Sequence, residues 1–346
     1  MGRPQELYIQ RCFDLARLGA GSTSPNPMVG AVLVHEDRII GEGYHQRYGQ
    51  AHAEVNAITA VAPSDLPLIP YSTLYVSLEP CDIVGKTPAC TDLILRCRIP
   101  KVVVSCLDHT PGVNGQGIQR LRQNGVEVVE HVLETKGKRI AAIRNTYVTE
   151  KRPYIILKFA QTADGFFAPS DHRQLWISNA YTKRLVHQWR SEVDAIMVGT
   201  RTAAIDRPQL SNRLYFGKSP LRFVLDRKGI LPAESPIFDA AAPTIRVTET
   251  GEETLGIWNI PFDDSLLPEL MKRMAASPLS SLLVEGGAQL IQSFLDAQLW
   301  DEARVITGQK RLKKGLYAPV IPVEPIHYTH LGNDQLAFYY RNEFKS

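Results

Sequence analysis

Cysteine is scarce: the chain of 346 residues carries five, an odd and scattered set that does not make a disulfide framework. No apolar run approaches the ~20 residues needed to span a bilayer. The opening Met-Gly-Arg-Pro-Gln-Glu lacks the apolar core of a secretory leader. An excess of one charge is missing as well. Lys and Arg total 39 against 36 Asp and Glu, a formal +3, and no basic stripe argues for a polyanion-binding surface. The short cluster Lys310, Arg311, Lys313, Lys314 reads as a solvated loop. Repeats and low-complexity segments are absent. No Gly-x-Gly-x-x-Gly follows a predicted strand, so a Rossmann dinucleotide site is not indicated. Gly85-Lys86-Thr87 imitates the end of a phosphate-binding loop, but the glycine required upstream falls on Pro80. The expectation is a soluble, cytoplasmic protein that binds neither nucleic acid nor membrane. Hydrophobic residues make up 44% and charged residues 22%, ordinary for a globular chain. At about 150 residues per domain, the length predicts two domains.

Hydrophobic periodicity predicts an α/β alternation in each half. A helix from Glu6 to Leu18, stopped by Gly19, precedes a hairpin of Val29–Val34 and Arg38–Tyr44. Helices near Ala51–Val61, Pro88–Arg96 and Gly117–Gln123 alternate with strands Thr73–Leu78, Lys101–Cys106 and Val126–Val132. The polar segment Thr149-Glu150-Lys151-Arg152-Pro153 marks the boundary, giving domains 1–150 and 151–346. Beyond it, strands are predicted at Tyr154–Ala160, Ala195–Val198, Arg222–Leu225, Ile245–Val247, Ser281–Val284 and Arg304–Ile306. Helices fall at Tyr181–Arg190 and Leu290–Leu295, and Leu336–Tyr340 reads as a late antiparallel strand. Two α/β domains follow from the pattern.

The chemistry of the first half is carried by His52-Ala53-Glu54 at a helix start, then Glu79-Pro80-Cys81, then Cys90. One His and two Cys can supply three ligands to a tetrahedral Zn²⁺ and leave the fourth position to water. Zinc lowers the pKa of such a water towards ~7. A carboxylate two residues from the ligand His can take its proton and pass it to a leaving amine, which is the role expected of Glu54. Thr87 as cap and Pro88 at the first helical position predict that Cys90 lies in a first helical turn, where the positive helix end favours thiolate. A Pro-Cys pair alone is ordinarily a small buried hydrophobe. The order and spacing together carry the metal reading. Cys12, Cys97 and Cys106 sit in apolar patterns and read as core.

The second half offers weaker signals. Lys158 is the one charge in Tyr154-Ile-Ile-Leu-Lys-Phe-Ala, and a lone strand Lys ordinarily sits at a sheet edge with its head in water. Trp176, Arg190, Thr202, Asp206 and Arg213 fall in loops or element ends. In Val284-Glu285-Gly286-Gly287-Ala288 a strand ends in an acid and two glycines open a helix, which makes an anion-binding helix start or simply a tight turn.

Ser24-Pro25-Asn26-Pro27-Met28-Val29-Gly30, Gly41-Glu42-Gly43-Tyr44-His45, His52-Ala53-Glu54, Leu78-Glu79-Pro80-Cys81, Gly85-Lys86-Thr87-Pro88 and the run from Asp108 to Gly117 resemble the bifunctional riboflavin-biosynthesis deaminase–reductases. The second half is similar to that family's reductase domain at residues 158–165, Trp176-Ile177-Ser178, Asp194-Ala195-Ile196 with Gly199, Asp206-Arg207-Pro208 and residues 284–287. The resemblance spans about Leu7 to Gly308. It implies a cytidine-deaminase-like three-layer first domain with a mixed sheet, and a dihydrofolate-reductase-like α/β second domain. It implies zinc-dependent hydrolysis of the 2-amino group of 2,5-diamino-6-(5-phosphoribosylamino)pyrimidin-4(3H)-one. NADPH-dependent reduction of the aminouracil's ribosyl group to ribityl follows. Carried over, His52, Cys81 and Cys90 are metal ligands, Glu54 is catalytic, and Asn26, His45 and Lys86 contact substrate. In the second domain Gln174, Arg190, Leu210, Arg213 and Glu285 would contact the sugar phosphate. NADPH contacts would fall on Ala160, Trp176, Thr202, Asp206 and Gly287, Ala288, Gln289, Leu290, Ile291, Gln292 and Ser293. Lys158 and Asp206 are the candidates for polarising or protonating the sugar oxygen. A homo-oligomer is implied on the same ground.

The chain departs from the family where Ser-His usually follows the first metal Cys. Asp82-Ile83 stands there, removing a donor and adding a negative charge. Pro-Pro-Cys is Pro88-Ala89-Cys90, and Pro-Lys-Leu-Leu-Gly is replaced by residues 309–313. Three rival readings follow: a reductase whose metal-binding first domain turns over poorly, a nucleic-acid base deaminase, and a zinc-stabilised binding protein without catalysis.

Overall fold

The computed structural model describes residues 4–83, 88–171 and 173–342. They form two compact units that divide between Lys151 and Arg152. Among the described residues no helix is long and apolar enough to cross a membrane.

The first unit runs α1 (Pro4–Arg17), β1 (Gly30–His35), β2 (Arg38–Tyr44), α2 (Ala53–Thr59), β3 (Thr73–Val76), α3 (Cys90–Arg96), β4 (Lys101–Val104), α4 (Gln116–Gln123), β5 (Glu127–Val129) and α5 (Glu134–Thr149). Glu36 and Asp37 both adopt left-handed φ, 44° and 61°, which suits a tight hairpin between β1 and β2. The sheet order is β2-β1-β3-β4-β5. β1 is antiparallel to β2 and β3, whereas β3, β4 and β5 run parallel. Alternate residues face opposite sides. Ala31, Leu33, Leu74, Val76, Val102 and Val104 pack with Ala57, Ile94 and Leu121 of α2, α3 and α4. Val32, Val34, Tyr75 and Val103 pack instead with Phe13 of α1 and Ile140 of α5. The result is three layers with a mixed sheet in the middle. Helix α5, 16 residues long, is not predicted from the sequence.

Helix α3 begins at Cys90, with Ala89 as its extended N-cap residue, so Pro88 lies before the helix and not at its first position. Thr87 lies outside the described residues. The cap comes from a distant side chain: the Cys90 N–H donates to Cys81 Sγ at 3.4 Å, satisfying a backbone group that a helix start leaves free.

The second unit runs β6 (Tyr154–Gln161), β7 (Phe166–Pro169), α6 (Ala180–Glu192), β8 (Ala195–Gly199), α7 (Thr200–Asp206), β9 (Leu221–Leu225), β10 (Thr244–Thr248), β11 (Ile257–Asn259), α8 (Leu266–Ala276), β12 (Ser281–Val284), α9 (Ala288–Asp296), β13 (Glu302–Thr307), β14 (Gly315–Tyr317), β15 (His327–Leu331) and β16 (Asp334–Tyr340). Among the described residues one large sheet has the order β11-β10-β9-β8-β12-β6-β13-β16-β15. Its pairs are parallel from β11 to β13, and β16 joins β13 antiparallel. Helices α7 and α8 escape the sequence reading. Strand β6 lies between β12 and β13, and the Lys158 side chain is only 15% exposed. The edge-strand expectation for Lys158 is therefore overturned: it is an interior cation.

Candidate active sites

In the first unit, His52 is the N-cap residue of α2 in an extended conformation, and Glu54 lies in the first turn of that helix. Glycine lets that helix sit low on the sheet. A Cβ at Gly43 would stand 2.5 Å from the Ala57 amide nitrogen. Cys81 follows β3 in a loop, and Cys90 opens α3. The three donor atoms lie within 4.8 Å of one another. His52 Nδ1 is 3.4 Å from both Cys81 Sγ and Cys90 Sγ. Two soft thiolates and an imidazole converging on one point fit a zinc ion.

Glu54 is only 3% exposed and in hydrogen-bond contact with Cys90. Burial, reinforced by the charge of Cys81, pushes its carboxyl up to about 7. The hydrogen bond from Cys90 pulls Cys81 down against burial, with His52 helping. The same bond, burial and the nearby Glu54 push Cys90 up.

His45 is 2% exposed and packs edge-on to His52 at 5.3 Å. Its Nδ1 lies 3.0 Å from the Ala51 carbonyl, which can only accept, so Nδ1 carries the proton. In the neutral ring favoured by burial, Nε2 then accepts from Asn26 Nδ2 at 3.1 Å. This fixes the Asn26 amide with its oxygen turned away from His45. Lys86 lies outside the described residues.

Three positioning groups escape the sequence reading. Glu79 is buried and accepts backbone N–H bonds from Asp108, Gly115 and Gly117 at 3.3, 2.8 and 3.0 Å, holding the 108–117 loop. Arg144 of α5 donates to the Pro25 carbonyl and to Thr110 Oγ1, both at 3.1 Å, tying that loop to the Asn26 segment. Asp82 bonds Arg120 at 2.6 Å, so its charge is compensated where it stands. The Glu-Pro-Cys motif signals Glu79, whereas Arg144 and Arg120 have no local sequence signal.

In the second unit a cleft of about 1350 Å³ opens at the C-terminal ends of β6, β8 and β12. The strand order reverses there, as ligand sites of open α/β sheets generally require. Its walls include Lys158, Ala160, Gln174, Trp176, Arg190, Thr202, Asp206, Leu210, Arg213 and Glu285, with Gly287, Ala288, Gln289, Leu290 and Ser293. Ile291 and Gln292 are not on the wall. Helical periodicity turns Ile291 into the core, where it is fully buried, and directs Gln292 to Asp296 at 2.7 Å. Gly287 is the N-cap of α9 and has no side-chain cap. A Cβ there would stand 2.9 Å from Thr202 Oγ1. The glycine keeps open a gap beside free helix-start N–H groups, a fit for a dinucleotide phosphate.

Glu285 receives Arg190 through Nε and Nη2 at 2.8 and 2.9 Å, and Lys158 Nζ stands 3.6 Å away. Burial favours the neutral acid, but Arg190 and Lys158 overcome it and hold Glu285 at about 2. Burial lowers Lys158, with Glu285 opposing. Arg190 also donates to the Ser211 carbonyl at 3.3 Å, so its fork is engaged. Among the described residues no carboxylate pairs with Arg213. Trp176 is held from two sides: Lys183 Nζ lies 4.6 Å from its ring centre, and Lys310 Nζ donates to its carbonyl at 2.6 Å. Lys310 lies in an exposed loop, as expected, and one hydrogen bond ties its ammonium to that carbonyl. His187, unremarked in the sequence, lines the cleft and accepts the Arg213 N–H on Nδ1 at 3.1 Å.

Residues 3–106 match the family model for the cytidine and deoxycytidylate deaminase zinc-binding region, and residues 153–312 match the RibD C-terminal domain. The chain is 34% identical over 351 residues to the riboflavin biosynthesis protein RibD of Aquifex aeolicus, across 96% of this chain and 98% of that protein. Against RibD of Escherichia coli the identity is 31%, across 89% and 88%. A crystal structure of a diaminohydroxyphosphoribosylaminopyrimidine deaminase/5-amino-6-(5-phosphoribosylamino)uracil reductase from Thermotoga maritima superposes with a TM-score of 0.86. Its identity is 36%, and 97% of this chain and 98% of that one are covered.

Proposed function

The chain belongs to the RibD family of riboflavin-biosynthesis proteins and is a bifunctional deaminase and reductase; from that premise we propose how its residues divide the work. Residues 1–150 carry the deaminase and 151–346 the reductase. The observation that carries the reading is the convergence of His52, Cys81 and Cys90 within 4.8 Å, with buried Glu54 against them.

His52, Cys81 and Cys90 would hold zinc, which when bound lowers the pKa of a coordinated water towards ~7. Glu54 takes the proton of the attacking water and delivers it to the amine at C2 of the diaminopyrimidinone. The C–N bond breaks, ammonia leaves and a carbonyl remains. Burial suits Glu54 to both halves of that transfer. Asn26 orients the pyrimidine, and His45 fixes Asn26. Lys86 is assigned to the phosphate by resemblance. Because Arg120 compensates Asp82, the departure at that position adds no bare charge against an anionic ribotide, which favours two working domains over an impaired first one.

In the second domain NADPH, when bound, supplies hydride to C1′ of the ribosyl group. Ala160, Trp176, Thr202, Asp206 and the first turn of α9 are its contacts. Lys158 protonates the sugar oxygen as the ring opens, and Asp206 is the second candidate for that proton. Glu285 keeps Lys158 charged and placed. Arg213 is assigned to the phosphate, with Gln174 and Leu210 lining the same cleft, while Arg190 anchors Glu285. The substrates are small pyrimidine ribotides. We place the enzyme in the cytoplasm as a homo-oligomer without nucleic-acid or membrane partners, an assembly that light scattering tests.

The test follows ammonia and NADPH together, starting from the diaminopyrimidinone ribotide. Ammonia release followed by NADPH loss, both abolished in Glu54→Gln, is expected. The same variant must still reduce pre-deaminated aminouracil ribotide. Undiminished ammonia release by Glu54→Gln would overturn the assignment.

A further inference from the structure

The two cysteine ligands come from separate segments, one in the loop after β3 and one at the start of α3. Backbone alone ties them weakly: the Thr91 N–H donates to the Cys81 carbonyl at 3.2 Å, and the Cys90 N–H reaches Cys81 Sγ at 3.4 Å. The residues immediately following the ligands, Asp82 and Thr91, are joined much more closely. Thr91 Oγ1 donates to Asp82 Oδ1 at 2.6 Å, and Thr91 is fully buried. A third segment closes the bridge. From α4, Arg120 Nη1 donates to Asp82 Oδ1 at 2.6 Å and to Thr91 Oγ1 at 3.3 Å. Its Nη2 takes Asp92 at 2.6 Å.

We propose that Asp82, Thr91 and Arg120 form a brace that holds Cys81 and Cys90 at metal-binding separation and slows loss of the ion. The inference rests on the zinc reading of His52, Cys81 and Cys90. As an isolated ion pair, Arg120–Asp82 at 38% and 18% side-chain exposure contributes little to stability. Its leverage is geometric, since each carboxylate or hydroxyl it fixes is one residue from a sulfur. Metal sites tolerate only about half an ångström of ligand displacement. The guanidinium also offsets a carboxylate that would otherwise stand next to two thiolates. Asp82, Thr91 and Arg120 act through the segments that carry the sulfurs and are positioning residues.

The experiment uses full-length, zinc-loaded enzyme and follows zinc release to a chromogenic chelator. Thr91→Val removes the bridging hydroxyl at nearly constant volume, Arg120→Gln removes the clamp, and Thr91→Ser restores the hydroxyl. Partners behind metal ligands are typically worth 10- to 100-fold in affinity. Release about tenfold faster in Thr91→Val and Arg120→Gln, and restored in Thr91→Ser, is expected. NADPH-dependent turnover of aminouracil ribotide by the same preparations should stay unchanged, which certifies the fold of the second unit. Cobalt-substituted enzyme gives a second readout, because a loosened sulfur pair shifts the ligand-field bands. Equal release rates in all variants overturn the brace and leave the zinc reading intact. Faster release that Thr91→Ser fails to restore also overturns it. A wild-type enzyme that purifies and reconstitutes without zinc overturns both.

Discussion

Arg190 and Glu285 are locked in a two-pronged ion pair, 2.8 and 2.9 Å, at the floor of the reductase cleft. The side chains are 12% and 7% exposed, so neither charge is well solvated if the other is removed. Glu285→Gln should destabilise the protein by about 3 kcal/mol, the cost of stranding a buried charge. The pair also sets an acid dependence. Glu285 is held at about 2 in the folded chain, below its ordinary carboxylate value. Its contribution is therefore present above the unfolded pKa and lost as pH falls from about 4.5 towards 2. Urea unfolding at pH 7 and pH 3 should show the wild-type advantage over Glu285→Gln shrinking at the lower pH. An advantage independent of pH would contradict the pairing.

Lys158→Met should abolish reduction while sparing cofactor binding. The methionine keeps the apolar stem that packs within β6 and removes only the ammonium. Loss of a positioned proton donor typically costs 10²- to 10⁴-fold in rate, so turnover of aminouracil ribotide should fall at least 100-fold. NADPH affinity, measured by fluorescence titration, should change by less than threefold. Ammonia release from the diaminopyrimidinone should continue. A variant that reduces substrate at the normal rate would remove Lys158 from the chemistry.

The placement of the motif residues at both sites is legible because it is written in short segments. His-Ala-Glu, Glu-Pro-Cys and Cys90 converge as their order predicts, and Glu-Gly-Gly does open a helix on the cleft. What stayed hidden depends on contacts between distant segments. The lone Lys158 read as an edge residue because sheet order is not visible in a strand's own sequence, whereas β6 is central. Helix α5 lacks a sharp apolar stripe, so neither the helix nor its Arg144 tie to the Asn26 segment could be anticipated. Asp82 read as a bare added charge because its partner Arg120 lies on α4. The run from Gly287 to Ser293 reads as continuous in the sequence, yet the 3.6-residue turn removes Ile291 and Gln292 from the wall.

His187 of helix α6 holds the segment that carries Arg213. Its Nδ1 accepts the Arg213 N–H at 3.1 Å, which requires an unprotonated nitrogen there. Burial, followed by the charges of Arg190 and Arg213, brings His187 down to about 4. A histidine kept neutral in the fold stabilises it fully above the unfolded pKa of ~6.5 and loses that contribution as pH falls through 4. His187→Asn offers an amide oxygen near the position of Nδ1 and cannot titrate. Wild type should therefore lose stability relative to His187→Asn between pH 6.5 and 4 in paired urea titrations. At pH 7.5 the variant should raise KM for aminouracil ribotide through the Arg213 loop while leaving kcat within a factor of about two. A change confined to kcat would place His187 in the chemistry instead.

Gly43 tests whether the metal site depends on how closely α2 lies against β2. A Cβ at that position would meet the Ala57 amide nitrogen at 2.5 Å and the Asn56 carbonyl carbon at 2.6 Å. Both are backbone atoms of the helix that carries Glu54 and is capped by His52, so neither can swing aside. Gly43→Ala must push α2 off the sheet or strain β2, and overpacking of this kind costs about 1–3 kcal/mol. A lower melting temperature alone would reflect strain in the core. The specific expectation is a coupled loss: His52 moves with its helix while Cys81 and Cys90, on other segments, stay behind, so zinc content at a fixed chelator concentration should drop below the wild-type value. Gly125→Ala is the contrasting substitution, because a Cβ there meets nothing within 4 Å and its strain comes only from a left-handed φ of 83°. It should lower stability without lowering zinc content. Equal zinc retention in the two variants would show that α2 can shift without carrying its imidazole out of register with the sulfurs.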